Sequence, residues 1–397
     1  MPLQFSTRAL PPSGVRIRLT DIIAGFQAAR QGDKALRFFH DDICQYFGIR
    51  HAVFASSGRA ALSVLFSALQ RLHPDKDEVA LPAYTSFSVP SAVVNAGLRV
   101  ALYDLDGSTL SPNPQSLRDC LSDKTLCIVV CHLYGYPCDM DAVREIASAK
   151  GIPIIDDAAQ AMGARYKGAY VGTLGTAGIF SLSRGKNITT VDGGIIVTDD
   201  DRLAETLHKI DLPQPSGTDR MAIYFKAFIL SILIHPRVYW LPLRLPFLHI
   251  GASVFNPRFE RQRLIPFQAG IGRKMLGRLA VINRKRVGIA ETLRTTLKEG
   301  GHGVHQIDGA EAVYLRLPVY HGTVAIRDKP NLGVVKSYPL PLGAIPALRS
   351  HLVVPDNSYP VAQMLADTIL TLPTHEFVKD SDVDAIREHV LNGTQPE

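Results

Sequence analysis

The segment SLSRGKNITT, residues 181–190, contains one lysine, Lys186, between a glycine and an asparagine. A lysine in such a loop is most often a solvated charge, but it can also contact a phosphate or act as a catalytic amine. Two common motifs are excluded. A nucleotide-binding P-loop needs a glycine five residues before its Gly-Lys pair and Ser or Thr after the lysine, and here Phe180 and Asn187 occupy those positions. The glycines of GTLGTAG are three residues apart, unlike the G-x-G-x-x-G of a dinucleotide site.

A second segment, FASSGRAAL, has the pattern of a strand that ends at Ser57, turns at Gly58 and enters a helix. The first turn of a helix offers unpaired N–H groups and the positive end of the helix dipole, which suit a phosphate. Small residues such as Ser and Gly also allow a phosphate to approach closely. Ser57 can equally be an ordinary helix N-cap, and this segment alone favours that simpler interpretation.

A third segment, IPIIDDAAQAMGA, places two carboxylates, Asp156 and Asp157, at the end of an apolar strand. The apolar residues before them indicate burial, and an ionised carboxylate is rarely buried without a partner. A helix N-cap would account for one aspartate but not easily for both. We therefore expect one of them to face the ligand end of the sheet and to meet a cation.

Pyridoxal 5'-phosphate (PLP) requires a lysine, a phosphate-binding turn and a buried acid. The aldehyde of PLP needs a lysine amine, and its ring nitrogen needs an acid partner that keeps it protonated. The combination of the three segments therefore favours a PLP site over a solvated lysine.

The elements that must position these residues alternate between about residues 50 and 200. Apolar runs such as EVALPAY and TLCIVVCHLYG read as strands, and glycines such as Gly97 and Gly151 end the helices between them. This alternation predicts an α/β fold with a mostly parallel central sheet flanked by helices. Ligands of such sheets bind at the carboxyl ends of the strands.

The length of 397 residues predicts two domains. We place a large PLP-binding domain at residues 1–260 and a smaller α+β C-terminal domain at residues 261–397. In the second part, the run QAGIGRKMLGRLAVINRKRVGIAETLRTTL is predicted to form one long helix, because Ile271, Met275 and Leu279 recur at helical spacing.

The composition, with 46% hydrophobic and 20% charged residues, is typical of a soluble globular protein. A formal charge of +6 is too mild to indicate nucleic-acid binding. The first residues lack the apolar run of a secretory signal, so we expect a cytoplasmic protein. The five cysteines match no zinc spacing, and we interpret them as core residues rather than as ligands of a metal.

These residues resemble the DegT-type sugar aminotransferases, a family of fold-type-I PLP enzymes, from about residue 35 to the C-terminus. The segments that carry the resemblance are, in the family's order, HLYGYPCDMDAV, IIDDAAQAMGARYKG, VGTLGTAGIFSLSRGKNITTVDGGIIVTDD and YPVAQMLADTILTLPTHEFVKDSDVDAI. The resemblance implies PLP as the cofactor. It also implies a homodimer whose active site lies at the subunit interface.

The resemblance implies roles for matching positions. Lys186 takes the place of the lysine that bonds covalently to PLP, and Asp157 that of the acid facing the pyridine nitrogen. Gln160 matches a residue near the phenolic oxygen of PLP. Asp156 replaces a common glutamate.

For the phosphate of PLP, the resemblance implies the hydroxyl of Ser181 and the turn at Ser57, Gly58 and Arg59, where the family usually has Gly-Thr. Phe87 is assigned to the cofactor ring, one residue after the position at which the family often has an aromatic side chain.

Three positions depart from the family. Ser86 stands where the aromatic ring is usual, Arg261 where a partner-subunit asparagine usually contacts the phosphate, and Gly343 where a histidine of the small domain is usual. These changes concern the substrate more than the cofactor.

Residues 221–255 form an apolar insertion relative to most of the family. The longest uninterrupted apolar run, residues 227–234, is well short of the roughly 18 residues that a spanning helix needs. Two interpretations stay open. The segment is a flap at the dimer interface or over the active site, or it is an amphipathic element on a membrane surface. Nine basic residues and one acid between residues 258 and 286 suit an anionic surface or a diphosphate substrate.

The sequence predicts a PLP-dependent aminotransferase. It would transfer an amino group from a donor such as glutamate to a nucleotide-diphosphate-linked keto sugar, in polysaccharide or glycoconjugate biosynthesis. Two alternatives stay open: a PLP-dependent sugar dehydratase, and a non-catalytic protein that binds PLP or a sugar nucleotide. The dehydratase branch of the family carries histidine in place of the lysine, so Lys186 argues against it. The membrane-surface interpretation of residues 221–255 predicts a peripheral contact with the inner membrane surface.

Overall fold

The computed structural model describes residues 8–244, 254–297, 302–320 and 327–392. Its helices are, in chain order, α1 (Leu19–Gln31), α2 (Asp33–Phe47), α3 (Gly58–Leu72), α4 (Ser88–Asn95), α5 (Pro114–Cys120), α6 (Met140–Lys150), α7 (Asp201–His208), α8 (Gly217–Leu233), α9 (Trp240–Leu243), α10 (Pro266–Leu276), α11 (Leu279–Leu297), α12 (Pro360–Thr368) and α13 (Asp380–Asn392). Its strands are β1 (His51–Ala55), β2 (Glu78–Pro82), β3 (Arg99–Tyr103), β4 (Thr125–Cys131), β5 (Ile154–Asp157), β6 (Arg165–Tyr166), β7 (Ala169–Tyr170), β8 (Ala177–Ser181), β9 (Gly194–Thr198), β10 (His302–Gly303), β11 (Ala310–Glu311), β12 (Arg316–Tyr320) and β13 (Leu370–Pro373).

The central sheet has the spatial strand order β1-β9-β8-β5-β4-β2-β3. The pairings that join β8, β5, β4, β2 and β3 are parallel, whereas β9 runs antiparallel to both β1 and β8. Every residue of β2, β4, β5 and β8 is buried, as expected for strands covered by helices on both faces. The mostly parallel α/β sheet predicted from the sequence is confirmed.

Local sequence signals set the boundaries of the helices around this sheet. The carboxylate of Asp139 accepts hydrogen bonds from the first N–H groups of α6, which is the usual function of an N-cap aspartate. The same helix ends at Gly151, whose φ of 61° lies in the left-handed region that glycine adopts without strain. Ser57 caps α3 in the same way, through a hydrogen bond from the N–H of Ala60.

Two smaller sheets involve the C-terminal part of the chain. One has the antiparallel order β10-β12-β13, and the other has the order β11-β6-β7. Because β11 pairs with β6, the C-terminal part contacts the segment that directly follows β5.

The single long helix predicted for the QAGIGRKMLG region is wrong. The structure has two helices, α10 and α11, separated at Gly277 and Arg278. The helical spacing continues across the break, since Ile271, Met275 and Leu279 are all buried. The two helices have different neighbours, because α10 packs on α1 and α2 and α11 packs on α13. The chain therefore turns while its apolar face stays covered.

The apolar insertion begins within α8, and its residues 245–253 lie outside the described part of the chain. Ala227 is the one residue of α8 that is buried. The helix exposes large apolar side chains at Met221, Phe225, Phe228 and Ile232. Among the described helices, none combines the length and the apolar character needed to cross a membrane.

The cysteines are free thiols. Cys127, Cys131 and Cys138 are buried in the core, as predicted, whereas Cys44 and Cys120 are partly exposed. The described residues contain no group of three His, Cys, Asp or Glu side chains that could hold a metal ion.

Candidate functional site

The predicted site residues lie at one edge of the central sheet. Asp157 is the last residue of β5 and Ser181 the last residue of β8, and these strands are parallel neighbours. Strand β1 is antiparallel to β9, which is antiparallel to β8. The carboxyl end of β1, followed by Ser57, therefore reaches the same edge.

The turn between β1 and α3 lies against the end of β8. A Cβ atom placed on Gly58 would lie 3.0 Å from Ser181 Oγ and 3.1 Å from Ser181 Cβ. A second glycine supports the turn, because a Cβ on Gly194 would lie 2.4 Å from the carbonyl oxygen of Ser57. The structure thus brings together three of the residues predicted to hold a phosphate, and no side chain at position 58 fills the space between them.

A chain of hydroxyl groups leads from this turn to an acid. Ser181 Oγ donates to Ser183 Oγ (3.2 Å), and Ser183 Oγ donates to Asp192 Oδ1 (2.6 Å). Burial raises the pKa of Asp192, while the hydrogen bond from Ser183 and the charges of Arg59 and Arg184 oppose the rise. The guanidinium of Arg59 also stacks on the ring of Phe259, at 4.8 Å from its centroid. Arg59 therefore lies beside the turn, with its charge directed partly at Asp192.

Lys186 and Asp157 interact electrostatically. Burial lowers the pKa of Lys186, and the negative charge of Asp157 opposes this effect. Burial likewise raises the pKa of Asp157, while the N–H of Ala159 and the charge of Lys186 lower it. No ion pair within 4 Å joins the two groups in the described part of the chain. Lys186 thus has an amine that is more readily neutral than that of a solvated lysine.

Asp156 and Asp157, adjacent in sequence, have different surroundings. Asp156 is fully buried, and its Oδ1 lies 2.5 Å from His132 Nε2. Its Oδ2 accepts hydrogen bonds from the N–H groups of Gly172 (2.7 Å) and Leu174 (2.9 Å). Asp156 therefore ties the end of β4 to the loop before β8, which leaves Asp157 as the carboxylate that faces the lysine.

The protonation of His132 follows from its hydrogen bonds. The N–H of Cys138 donates to His132 Nδ1 at 2.9 Å, so Nδ1 is an acceptor and the ring proton lies on Nε2. His132 then donates that proton to Asp156. Asp156 thus has a buried hydrogen-bond partner in His132, and the charge of Asp156 raises the pKa of that ring against the opposing effect of burial.

The side chain of Gln160 forms hydrogen bonds with two separate segments of the chain. Its Oε1 accepts from the N–H of Tyr134 (3.1 Å), and its Nε2 donates to Tyr338 Oη (2.8 Å). The hydroxyl groups of Tyr84 and Tyr134 lie 2.9 Å apart, and the ring of Tyr84 packs edge-on against Tyr338. A buried cluster of three tyrosines therefore lies beside Gln160.

Three other positions singled out in the sequence have identifiable surroundings. Phe87 is buried in the core at the start of α4, and its assignment to a cofactor ring stays a prediction. Arg261, which replaces an asparagine, donates to Ser67 Oγ on α3 of its own chain (2.8 Å). A Cβ on Gly343 would lie 3.4 Å from the ring of Tyr359, at an ordinary van der Waals distance.

Sequence reasoning did not assign His132, Tyr134, Tyr338 or Asn283. His132 and Tyr134 belong to the quoted HLYG segment, where a histidine directly after a fully apolar strand was the available signal. Asn283 on α11 accepts from Asn187 Nδ2 (3.0 Å) and donates to the carbonyl of Met162 (2.8 Å). It thus contacts the residue next to Lys186 from a position almost one hundred residues later in the sequence.

The central sheet, with a lysine and a buried carboxylate near its strand ends, defines an α/β protein. The chain belongs to the DegT/DnrJ/EryC1/StrS aminotransferase family, whose model matches residues 17–391. The family and the enzyme class predicted from the sequence are therefore confirmed.

Solved structures agree. DesV from S. venezuelae, solved in complex with a ketimine intermediate, is 25% identical; the match covers 91% of this chain and 90% of DesV, with a TM-score of 0.70. DesI, solved in the presence of its TDP-sugar product, is 21% identical over 98% and 94% of the two chains, with a TM-score of 0.76. The E. coli GDP-4-keto-6-deoxy-D-mannose-3-dehydratase with bound hydrated PLP is 20% identical over 96% and 99%, with a TM-score of 0.74. At these identities the last two show a common fold.

Proposed function

We propose that this protein is a PLP-dependent aminotransferase that transfers an amino group from an amino acid, such as glutamate, to a keto sugar linked to a nucleotide diphosphate. The observation that carries the proposal is the convergence of Lys186, Asp157 and the Gly58–Ser181 turn at one sheet edge. Family membership supports the amino transfer, and the TDP-sugar product of DesI supports the substrate class. Such a reaction suits polysaccharide or glycoconjugate biosynthesis.

The residues present fit PLP. Gly58, whose lack of a side chain allows the close approach of Ser181, lies at the start of a helix, where N–H groups and the helix dipole favour a phosphate. Ser57, Gly58, Arg59 and Ser181 would hold that phosphate. When bound, PLP supplies an electron sink for the carbon that gains or loses the amino group.

The remaining residues would act on the ring and on the reacting carbon. Asp157 would face the ring nitrogen and hold its proton there. Gln160 would lie near the phenolic oxygen. Lys186 Nζ would accept a proton from the reacting carbon and return it, because a lysine of lowered pKa is a better base near neutral pH.

The test is an amino-transfer assay with glutamate and a panel of nucleotide-linked keto sugars. Formation of 2-oxoglutarate together with an aminated sugar supports the proposal. A deoxy sugar without an added amino group would instead support the dehydratase alternative. A protein that binds the cofactor and the sugar nucleotide but forms neither product would be a non-catalytic binding protein.

We also propose that the enzyme is a homodimer with its active site at the interface, and that the insertion covers that site or the interface. Burial raises the pKa of Tyr239, within the insertion, to about 12, and the charges of Arg316 and Arg184 act on its hydroxyl. Tyr239 therefore lies close to the lysine-bearing loop, which supports a flap.

Peripheral membrane contact through residues 221–255 is the competing interpretation, supported by the exposed apolar side chains of α8. Liposome flotation of the protein and of a variant that lacks residues 221–255 distinguishes the flap from the membrane contact. Equal flotation of both proteins would exclude the membrane contact, and the molar mass in solution tests the dimer. The division into domains at residue 260 and the cytoplasmic location stay predictions.

A further inference from the structure

A basic cleft lies outside the residues proposed to hold the cofactor. It is formed by the N-terminal segment before α1, the start of α11 and Glu376, and its cavity of about 30 Å³ is partly open to solvent. Five basic side chains line it, against the single acid Glu376: Arg16, Arg18, Arg278, Lys285 and Arg286. So much positive charge around one depression is costly unless an anion is bound there.

Arg286 provides the strongest evidence for a ligand. Its side chain is buried, with 1% of its surface exposed. Its Nη1 donates to the carbonyl of Leu315 (3.0 Å) and its Nη2 to the carbonyl of Gly14 (2.7 Å). Nη1 also makes a longer hydrogen bond to Thr374 Oγ1 (3.5 Å), and all three acceptors are neutral. Its buried Nε has no hydrogen-bond partner among the described residues.

The charge of Arg286 is therefore incompletely compensated. Burial lowers its pKa to about 10, and the one acid that opposes this effect is Glu376. Glu376 is an exposed residue, and its carboxylate already accepts a weak hydrogen bond from the N–H of Arg16 (3.3 Å). A buried guanidinium without a close carboxylate is unfavourable, because a charge removed from water needs a compensating partner.

A second arginine at the cleft, Arg278, has hydrogen-bond partners for only some of its donor groups. Arg278 Nη2 donates to Asp21 Oδ2 at 2.6 Å, while its buried Nε has no partner in the described part of the chain. Arg16, Arg18 and Lys285 reach the cleft from exposed positions. At this cleft, the buried Nε groups without a partner in the described part of the chain belong to Arg278 and Arg286, at the start of α11. The side chains of Arg16 and Arg18 line the same cleft from the N-terminal segment.

We propose that this cleft binds a phosphate group, held by Arg286 and Arg278 from within and by Arg16, Arg18 and Lys285 at its mouth. A phosphate presents several oxygens in different directions, which suits donors that converge from separate segments, and guanidinium groups bind phosphate with strong charge-assisted hydrogen bonds. The site is independent of the proposed function, since none of the residues assigned to the cofactor lines it.

The phosphate could belong to a soluble molecule or to a lipid headgroup. Two exposed apolar residues at the cleft are compatible with a lipid headgroup. Val281 lines the cleft and is 51% exposed, and Leu19, next to Arg18, is 67% exposed. The chemistry at the cleft is the same for both sources.

The test uses the PLP-loaded protein, whose cofactor phosphate site is already occupied, and calorimetric titration with inorganic phosphate at constant ionic strength. We expect saturable binding. The double variant Arg16→Gln/Lys285→Gln removes two exposed charges at the cleft without disturbing the buried arginines, and we expect its affinity for phosphate to fall by about tenfold or more.

The matched control is Lys274→Gln/Arg284→Gln. It removes the same number of charges from exposed positions near the cleft that do not line it, so its affinity for phosphate should equal that of the wild type. Equal binding by both double variants would overturn the proposal, because phosphate would then respond to net charge alone.

A second arm separates the two sources. Co-sedimentation is measured with phosphatidylcholine vesicles that contain or lack phosphatidic acid. Sedimentation that requires phosphatidic acid, is lost in Arg16→Gln/Lys285→Gln and is kept in the control assigns the cleft to a lipid headgroup. Saturable binding of inorganic phosphate without such sedimentation assigns it to a soluble phosphate. A protein that shows neither effect has no phosphate site here.

Discussion

Gly58, at the start of α3, and Ser181, at the end of β8, lie so close that a Cβ on Gly58 would be 3.0 Å from Ser181 Oγ. That separation is shorter than an ordinary van der Waals contact. The absence of a side chain at position 58 therefore keeps the serine hydroxyl accessible from the first turn of the helix. If this turn holds the cofactor phosphate, both residues are needed in their present form.

Gly58→Ala should weaken binding of PLP. The added methyl group would press on Ser181, and overpacking of this kind costs about 1–3 kcal/mol, which corresponds to roughly 5- to 150-fold if it falls on PLP affinity. The measurement is a titration of the cofactor-free protein with PLP. Gly217→Ala is the control, because a Cβ at Gly217 meets no atom within 4 Å. Equal affinities of the two variants would contradict a phosphate site at this turn.

Lys186→Ala should abolish amino transfer and the visible absorbance of lysine-bound PLP, because no other amine is assigned to form that bond. Lys209→Ala is the matched control, since Lys209 forms an exposed ion pair with Glu205 on α7. The control should keep both activity and absorbance. Substantial turnover by Lys186→Ala would refute the assignment of the catalytic amine.

Asp157→Asn should lower the pKa of Lys186 further. The negative charge of Asp157 raises that pKa against the effect of burial, so a neutral amide removes the opposition. In the cofactor-free protein, the reactivity of Lys186 towards an amine-acylating reagent should then reach its half-maximum at a lower pH than in the wild type, measured between about pH 7 and 10.

Mass spectrometry of the labelled peptide gives the pH profile of this residue alone. Asp199→Asn, an exposed position, controls for the loss of one negative charge. An unchanged or higher midpoint in Asp157→Asn would show that the two groups do not interact as described.

His132→Phe should destabilise the fold. It removes the donor to the fully buried Asp156, and breaking a buried pair on one side costs about 3–5 kcal/mol. Urea unfolding measures the loss. The double variant His132→Phe/Asp156→Leu should lose less than the sum of the two single changes, because no buried charge is then left without its partner. Strict additivity would contradict the coupling.

His375 should make stability dependent on pH. Burial lowers its pKa to about 3, whereas an unfolded histidine titrates near 6.5. The unfolded state therefore binds the proton first as the pH falls, and stability is lost. Between pH 7.5 and pH 5 this residue should remove about 2 kcal/mol from the free energy of unfolding.

His375→Gln should abolish that contribution, while His208→Gln, at an exposed position, should retain it. The quantity compared is the slope of the unfolding free energy against pH. A loss of stability that is the same at every pH in His375→Gln does not change this slope. Parallel pH profiles of the two variants would contradict a neutral buried His375.

The sequence predicted the sheet and its chemistry because both are local. The apolar strand before Asp156 and Asp157 indicated burial, and the loop around Lys186 was recognisable from neighbouring residues. The local sequence does not show which aspartate bonds His132 and which interacts with Lys186. That is decided by the pairing of β4 with β5.

The missed features depend on contacts between distant segments. The tyrosine cluster joins Tyr84, Tyr134 and Tyr338, which are separated by many elements. The break between α10 and α11 leaves the apolar spacing intact, so periodicity alone could not reveal it. In both cases the cause lies in tertiary packing, which a single stretch of sequence does not record.

The hydrogen bonds of Asn283 have a mechanical consequence. They join α11 to Asn187, beside Lys186, and to Met162, in the segment after β5. One turn further along the same helix, Arg286 is bonded to Leu315, just before β12 of the small sheet. A continuous path of hydrogen bonds through α11 therefore joins the small sheet to the residue beside Lys186.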